Sequence, residues 1–311
     1  MTLGALPALS VLLAAAVAPP RVPTFTTSVE AVYVDVFVTR DGQPVGGLTA
    51  QDFDLSDNGV RQDVSLVSVE AVPIVAVMVF DVSTSVAGAR LDDLRAAGRA
   101  LIAGLRPQDQ PALVTFSHEL QIAVPLGGDP STVRRAVDKV EAGGHTALWD
   151  GLYAGLKLPV AGGRPMVIVF TDGRDDLSWL SQEQVLKVAR ESEAIVHVVA
   201  ITPRLEEVVK GASIMRPVSE LVEPVEIRRV REIAEATGGR LWYAGVSAQL
   251  EQTFLRILAE MQSRYLLSFT PSGGPRAGWH RLSVKVNSRK GTVRSRKGYF
   301  VAADARPAPG R

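Results

Sequence analysis

The stretch Val72–Phe80, VPIVAVMVF, carries no polar side chain. It is too short to cross a bilayer, and a strand so uniformly apolar must be covered on both faces. The chain that follows supplies the cover. Arg90–Leu105 sets Leu91, Leu94, Leu101 and Leu105 on one side of a helix. Ala112–Phe116 and Leu120–Val124 read as strands, and Ser131–Val140 as a helix with Ser131 as its cap. Further on come helices at Ala147–Leu158, Gln182–Ser192, Glu226–Ala236 and Ala248–Gln262. Strands fall at Met166–Phe170, Ile195–Ile201 and Leu241–Tyr243. This alternation predicts an α/β fold, a doubly wound and mostly parallel sheet between two helical layers. Ligands on such sheets bind beyond the carboxyl ends of the strands.

Both flanks of this middle read as β-structure. In residues 25–70, Val32, Val34, Val36 and Val38 alternate with Tyr33, Asp35, Phe37 and Thr39. Arg40-Asp41-Gly42 marks a turn, Thr49 can cap a short helical turn, and Asn58-Gly59 marks a tight hairpin. In residues 264–301, Tyr265–Thr270 reads as a strand, Leu282, Val284 and Val286 alternate, and Thr292–Arg296 and Gly298–Phe300 follow. The first flank is rich in acids, whereas residues 264–300 hold nine Lys or Arg and no acid. Each flank is too short to bury a core alone. Together they predict one small β-sandwich-like domain (25–70 with 264–301) around a central domain at 71–263, with a disordered tail at 302–311. A basic, polyanion-binding face on the second flank is the other reading. Aromatic residues for base stacking are sparse there, so no nucleic-acid partner is expected.

Composition narrows the chemistry. The 311 residues include no Cys, which excludes thiolate metal sites, disulfides and thiol nucleophiles. The four His (His118, His145, His197, His280) show no metal-ligand spacing, so any metal must be held by oxygen. His118 and His145 read as surface residues and His197 as a satisfied core residue. The net charge of +1 gives no general attraction to polyanions. The uncharged segment 1–18, ending Ala16-Val17-Ala18, is read as a signal peptide, hence an exported protein with no transmembrane helix in its mature part.

The strand ends carry the informative residues. Asp81-Val82-Ser83-Thr84-Ser85 follows the first apolar strand, Thr171-Asp172-Gly173 follows Met166–Phe170, and Gly143-Gly144-His145-Thr146 leads into a helix. All are short oxygen donors, the chemistry of Mg²⁺ and, less strictly, of Ca²⁺ or Mn²⁺. Neutral hydroxyl ligands leave the ion's charge partly uncompensated, so an open position would attract a carboxylate.

The Asp-x-Ser-x-Ser … Thr … Asp-Gly set resembles the metal-ion-dependent adhesion site of von Willebrand factor A domains. LRPQDQPALVTFS, GGHTALWDGL and MVIVFTDG are similar to that family's connecting segments. The flanking GLTAQDFDLSDNG and YLLSFTP … GYF stretches resemble the bacterial VWFA-related proteins first catalogued in Acidobacteria. The resemblance implies a Rossmann-like A domain whose metal ligands are Asp81, Ser83, Ser85, Thr146 and Asp172. It also implies a protein partner that donates a Glu or Asp to the ion. The loop Gly173–Leu180 (Arg174, Asp175, Asp176, Trp179) and the loop Thr202–Pro224 with Met215 would form a partner-binding rim. Trp179 either anchors that rim or packs beneath its own loop.

Other functions fit less well. A structural or assembly component of the envelope, with a constitutive stabilising metal, is the alternative. A Mg²⁺-dependent phosphotransferase of the haloacid dehalogenase class needs a second Asp where Ser83 stands. A dinucleotide site needs Gly-x-Gly-x-x-Gly where Ser83-Thr84-Ser85 stands. Gly-x-Ser-x-Gly is absent, and no catalytic set is assembled. The expectation is a binding protein, not an enzyme.

Overall fold

The structure, a computed structural model, describes residues 31–158, 160, 162–201, 225–244, 247–274, 277–286 and 291–302. The signal-peptide reading at 1–18, Met215 with its loop, and the tail from 303 onward lie outside the described residues. No helix among the described residues is long and apolar enough to cross a membrane.

The chain opens with β1 (Val32–Arg40), where Val34, Val36 and Val38 are buried and Tyr33 is exposed. Asp41 and Gly42, both at positive φ, turn it into β2 (Gln43–Pro44). Thr49 donates through its backbone N–H and its hydroxyl to Asp52, fixing a single helical turn at Ala50–Asp52. β3 (Phe53–Asp57) and β4 (Val60–Gln62) form a hairpin about Asn58 and Gly59, whose φ angles of 48° and 85° suit a type I′ turn. β5 (Ser65–Val67) ends this flank.

The middle alternates as its hydrophobic pattern requires: β6 (Ile74–Asp81), α1 (Ala89–Gly104), β7 (Gln110–Phe116), β8 (Leu120–Val124), α2 (Pro130–Asp138), α3 (Leu148–Lys157), β9 (Arg164–Thr171), α4 (Gln182–Glu191), β10 (Ile195–Ala200), α5 (Val225–Ala236), β11 (Leu241–Tyr243) and α6 (Ser247–Gln262). The strands form one sheet in the order β11-β10-β9-β6-β7-β8, parallel except for β8. Every residue of β6 is buried. Ile74, Ala76, Met78 and Phe80 face α1, α2 and α6; Val75, Val77 and Val79 face α3, α4 and α5. Two glycines seat α3 close to the sheet, since a Cβ on Gly151 would lie 2.4 Å from Phe116 and one on Gly155 2.5 Å from Val79. One local expectation fails. Asp129, not Ser131, caps α2, because Pro130 fills the first helical position and Asp129 Oδ1 accepts from Thr132 N.

The last flank supplies β12 (Tyr265–Phe269), β13 (Gly278–Val286), β14 (Thr292–Arg294) and β15 (Gly298–Val301). Antiparallel ladders join it to the first flank: one sheet runs β14-β1-β12-β5, with β2 on β1, and a second runs β15-β13-β3-β4. Val34, Val36, Val38, Leu267 and Phe269 of the first sheet share a core with Phe53, Leu55, Leu282 and Tyr299 of the second.

Arginines fasten these two sheets to the rest. Glu260, on α6 and only 4% exposed, takes Arg264 Nη2 at 2.7 Å, Arg294 Nη2 at 2.6 Å and Arg240 Nε at 3.5 Å. Arg164, at the start of β9, pairs with Asp35 of β1. Arg296 donates to the carbonyls of Arg190 and Ser192 at the C-terminal end of α4, where the helix dipole favours a cation. These basic residues of the last flank therefore act on α4 and α6.

Candidate functional site

β6 and β9 are neighbours in the sheet, with Phe80 opposite Phe170. Asp81, Thr171 and Asp172 therefore leave the sheet together at its carboxyl edge. Asp81 is wholly buried; its Oδ1 accepts from Ser83 N at 3.0 Å and its Oδ2 from Thr171 Oγ1 at 2.8 Å. Burial raises the Asp81 carboxyl to about 6 against the lowering effect of those hydrogen bonds, and the Asp172 charge adds to the rise. Ser83 and Ser85 turn to each other, with hydroxyl oxygens 3.0 Å apart. The Asp172 side chain is 7% exposed, and its Oδ1 accepts from Arg174 N at 3.1 Å. Arg174 Nε stands 3.7 Å from Asp172 Oδ2.

The loop bearing Thr146 is stitched to the Asp81 loop. Gly143 N donates to Val82 O at 2.8 Å, and both the N–H and the hydroxyl of Thr84 donate to Gly144 O at 3.0 Å. On its far side Ala147 N donates to Ser117 O beyond β7. Thr146 is 5% exposed and is held by the loop that follows Asp172: its N–H donates to Asp176 Oδ1 at 2.8 Å, while Asp176 N and Leu177 N donate to its carbonyl at 3.0 Å. The five oxygen-bearing residues thus stand on three loops that hydrogen-bond to one another at one end of the sheet. Among the described residues no group of three or more His, Cys, Asp or Glu could hold a metal. This set consists instead of two carboxylates and three hydroxyls.

The expected rim divides by role. Asp175 and Asp176 commit carboxylate oxygens to the loop frame, Asp175 Oδ1 accepting from Leu148 N at 2.9 Å and Asp176, itself exposed, also meeting His145 Nδ1 at 3.1 Å. Ser178 Oγ accepts from Trp149 N at 2.9 Å, while Asp150 accepts from Trp179 N and Leu180 N at 3.0 Å each. The free N–H groups of the first turn of α3 thus donate to side-chain oxygens of the loop, and the loop's own N–H groups donate to the Asp150 carboxylate of the helix. Trp179 is left 95% exposed on this frame, so it does not pack beneath its own loop. Arg174 is also exposed.

Among the histidines, His145 is exposed. His197 is wholly buried; its Nδ1 accepts from Trp242 Nε1 at 3.2 Å, whereas its Nε2 has no hydrogen-bond partner among the described residues. Burial pushes its pKa down to about 3, so it is neutral at pH 7. Sequence reasoning did not single out Thr171, Asp150 or Ser178. The signals were faint: a Thr closing a strand before an Asp, and an acid in the first turn of a helix.

Residues 76–174 match the family model of the von Willebrand factor type A domain. The chain carries a von Willebrand factor type A domain. Three solved structures can be compared with it. The von Willebrand factor type A protein from Catenulispora acidiphila is 14% identical, with 81% of this chain and 74% of that one covered and a TM-score of 0.51. BatB from Bacteroides thetaiotaomicron is 18% identical over 61% of this chain and 98% of that one, with a TM-score of 0.46. Proximal thread matrix protein 1 from the mussel byssus, with a zinc occupied MIDAS motif, is 18% identical over 65% and 49%, with a TM-score of 0.49. No curated protein matches the chain. At 14% identity and a TM-score of 0.51, the likeness to the Catenulispora protein is one of fold. In this A domain the loops just described lie at the carboxyl end of the parallel strands, where such sheets bind ligands.

Proposed function

We propose that this protein binds another protein through a divalent cation held by Asp81, Ser83, Ser85, Thr146 and Asp172. The observation that carries the reading is the buried Asp81 carboxylate, raised to about 6 beside Asp172 and hydrogen-bonded into a cluster of hydroxyls. Two carboxylates so close, among oxygen donors alone, suit a hard cation: Mg²⁺ by preference, or Mn²⁺ or Ca²⁺. When bound, the ion supplies an open coordination position for a Glu or Asp of the partner. The protein's own part is to hold the donors. Thr171 orients Asp81, the Thr84–Gly144 contacts set the height of Thr146, and Arg174 shares the charge of Asp172. Trp179 and Arg174 form the contact rim, and Asp175 and Asp176 make it rigid. The role is binding rather than catalysis, in an exported protein.

Calorimetric titration with Mg²⁺ tests the site. Asp81→Ala and Asp172→Ala should each abolish the binding heat while leaving the circular-dichroism spectrum intact; unchanged Mg²⁺ affinity in both variants contradicts the reading. A second reading is an assembly component in which the metal is constitutive and stabilising. EDTA separates the two. Partner release with the fold retained supports regulated binding, and loss of fold supports the structural role.

A further inference from the structure

The second sheet of the β-sandwich has an outer face that the metal-site reading does not use. Along β13 the inward residues His280 and Leu282 are buried, and Trp279, Arg281, Ser283 and Lys285 point outward in a single row. At the strand rise of ~3.4 Å per residue the row is roughly 20 Å long. Trp279 is 42% exposed and pairs across the ladder with Phe300, 48% exposed. The neighbouring strand adds Ser56, opposite Ser283, and Asp54, opposite Lys285, and Arg61 of β4 stands 3.7 Å from Asp54. The indole lies across Gly298: a Cβ there would fall 2.4 Å from Trp279 Cζ2. Glycine at that position lets the ring settle on the sheet while much of it stays open to solvent.

We infer that this face binds a carboxylated polysaccharide. An exposed aromatic pair offers a surface for the apolar faces of sugar rings. Arg281, two residues along, meets a sugar carboxylate, and Ser283 and Ser56 supply hydroxyl partners between the two cations. Charge complementarity selects an anionic chain, because Arg61, Arg281 and Lys285 share the face with Asp54 as its acid. Nucleic acid fits less well. Its affinity comes from many phosphate contacts, on the order of 6–10 for tight binders, and this face offers three cations, one already beside Asp54.

The test is affinity electrophoresis of the full chain in gels holding polygalacturonate, with neutral dextran and a single-stranded oligonucleotide as comparisons. EDTA is kept present so that metal-bridged contacts are removed. Polygalacturonate should retard the protein and dextran should not. The double variant Arg281→Ala, Lys285→Ala should weaken binding by about tenfold, and Trp279→Ala by about tenfold as well. Both charged side chains are exposed, so the double variant reports even if loss of the indole over Gly298 harms folding. The inference is overturned if the wild type is not retarded at millimolar sugar, or if dextran retards it equally. It is also overturned if the double variant binds as the wild type does, or if the oligonucleotide binds more tightly than the polysaccharide.

Discussion

Asp81 sits where a charge is costly: a carboxylate with no exposed surface, beside a second carboxylate, held by a serine N–H and a threonine hydroxyl. Thr171 is the support that the sequence motif hides, because its hydroxyl keeps Asp81 Oδ2 in one orientation. Thr171→Val should therefore leave the strand intact and weaken Mg²⁺ binding by about tenfold, read by calorimetry. An unchanged affinity would make that hydrogen bond a packing detail. Asp81, Ser83, Ser85 and Asp172 stand at or just beyond strand ends, where the sequence pattern directs attention, and their assignment to a metal is a proposal that comes from the family resemblance. Thr171 carries no such signal, since a Thr closing a strand is ordinary, and His197 reads as a satisfied core residue although its Nε2 makes no hydrogen bond among the described residues and stands 3.6 Å from Glu260 Oε1.

Among elements, the strands and helices of the middle follow directly from period and apolar runs, and β6 is the clearest. Cap chemistry was harder to read, because Asp129 and Ser131 are equally good caps on paper and Pro130 decides between them. The loop after Asp172 reads as a rim, but its frame depends on pairings across about 30 residues that no local pattern encodes. Asp150→Ala removes the acceptor of Trp179 N and Leu180 N. It should cost ~1 kcal/mol and speed hydrogen exchange of those two amides, with the global fold kept. In the sandwich, Tyr299 donates to Asp57 at 2.7 Å, and His280 Nδ1 lies 2.9 Å from both Asp57 oxygens. Burial first, then the Asp57 hydrogen bond and charge, raise the Tyr299 pKa. The folded state thus holds the phenol neutral. Its contribution is full below the ordinary tyrosine value near ~10 and is lost as pH rises above it. Urea denaturation at stepped alkaline pH should show that loss, and Tyr299→Phe should flatten it.

At the scale of the molecule, opposite charge on the two flanks was a fair hint that they belong together, but for a reason the structure replaces. Backbone ladders join the flanks, while Arg264, Arg294 and Arg296 grip α6 and α4. Burial works against the charge of Glu260, and the cationic groups facing it outweigh that and hold its carboxyl below the usual range. With His197 neutral, the arginines carry this effect at pH 7. Glu260→Gln should then cost roughly 3–5 kcal/mol in urea unfolding, because it strands buried guanidinium groups. A cost near zero would show that the clamp is not what joins the two parts. If residues from three loops hold one cation, a Mg²⁺ titration of the wild type beside Asp81→Ala and Asp172→Ala will show it. A single binding event is expected in the wild type and none in either folded variant; equal binding in all three would mean that these loops hold no cation.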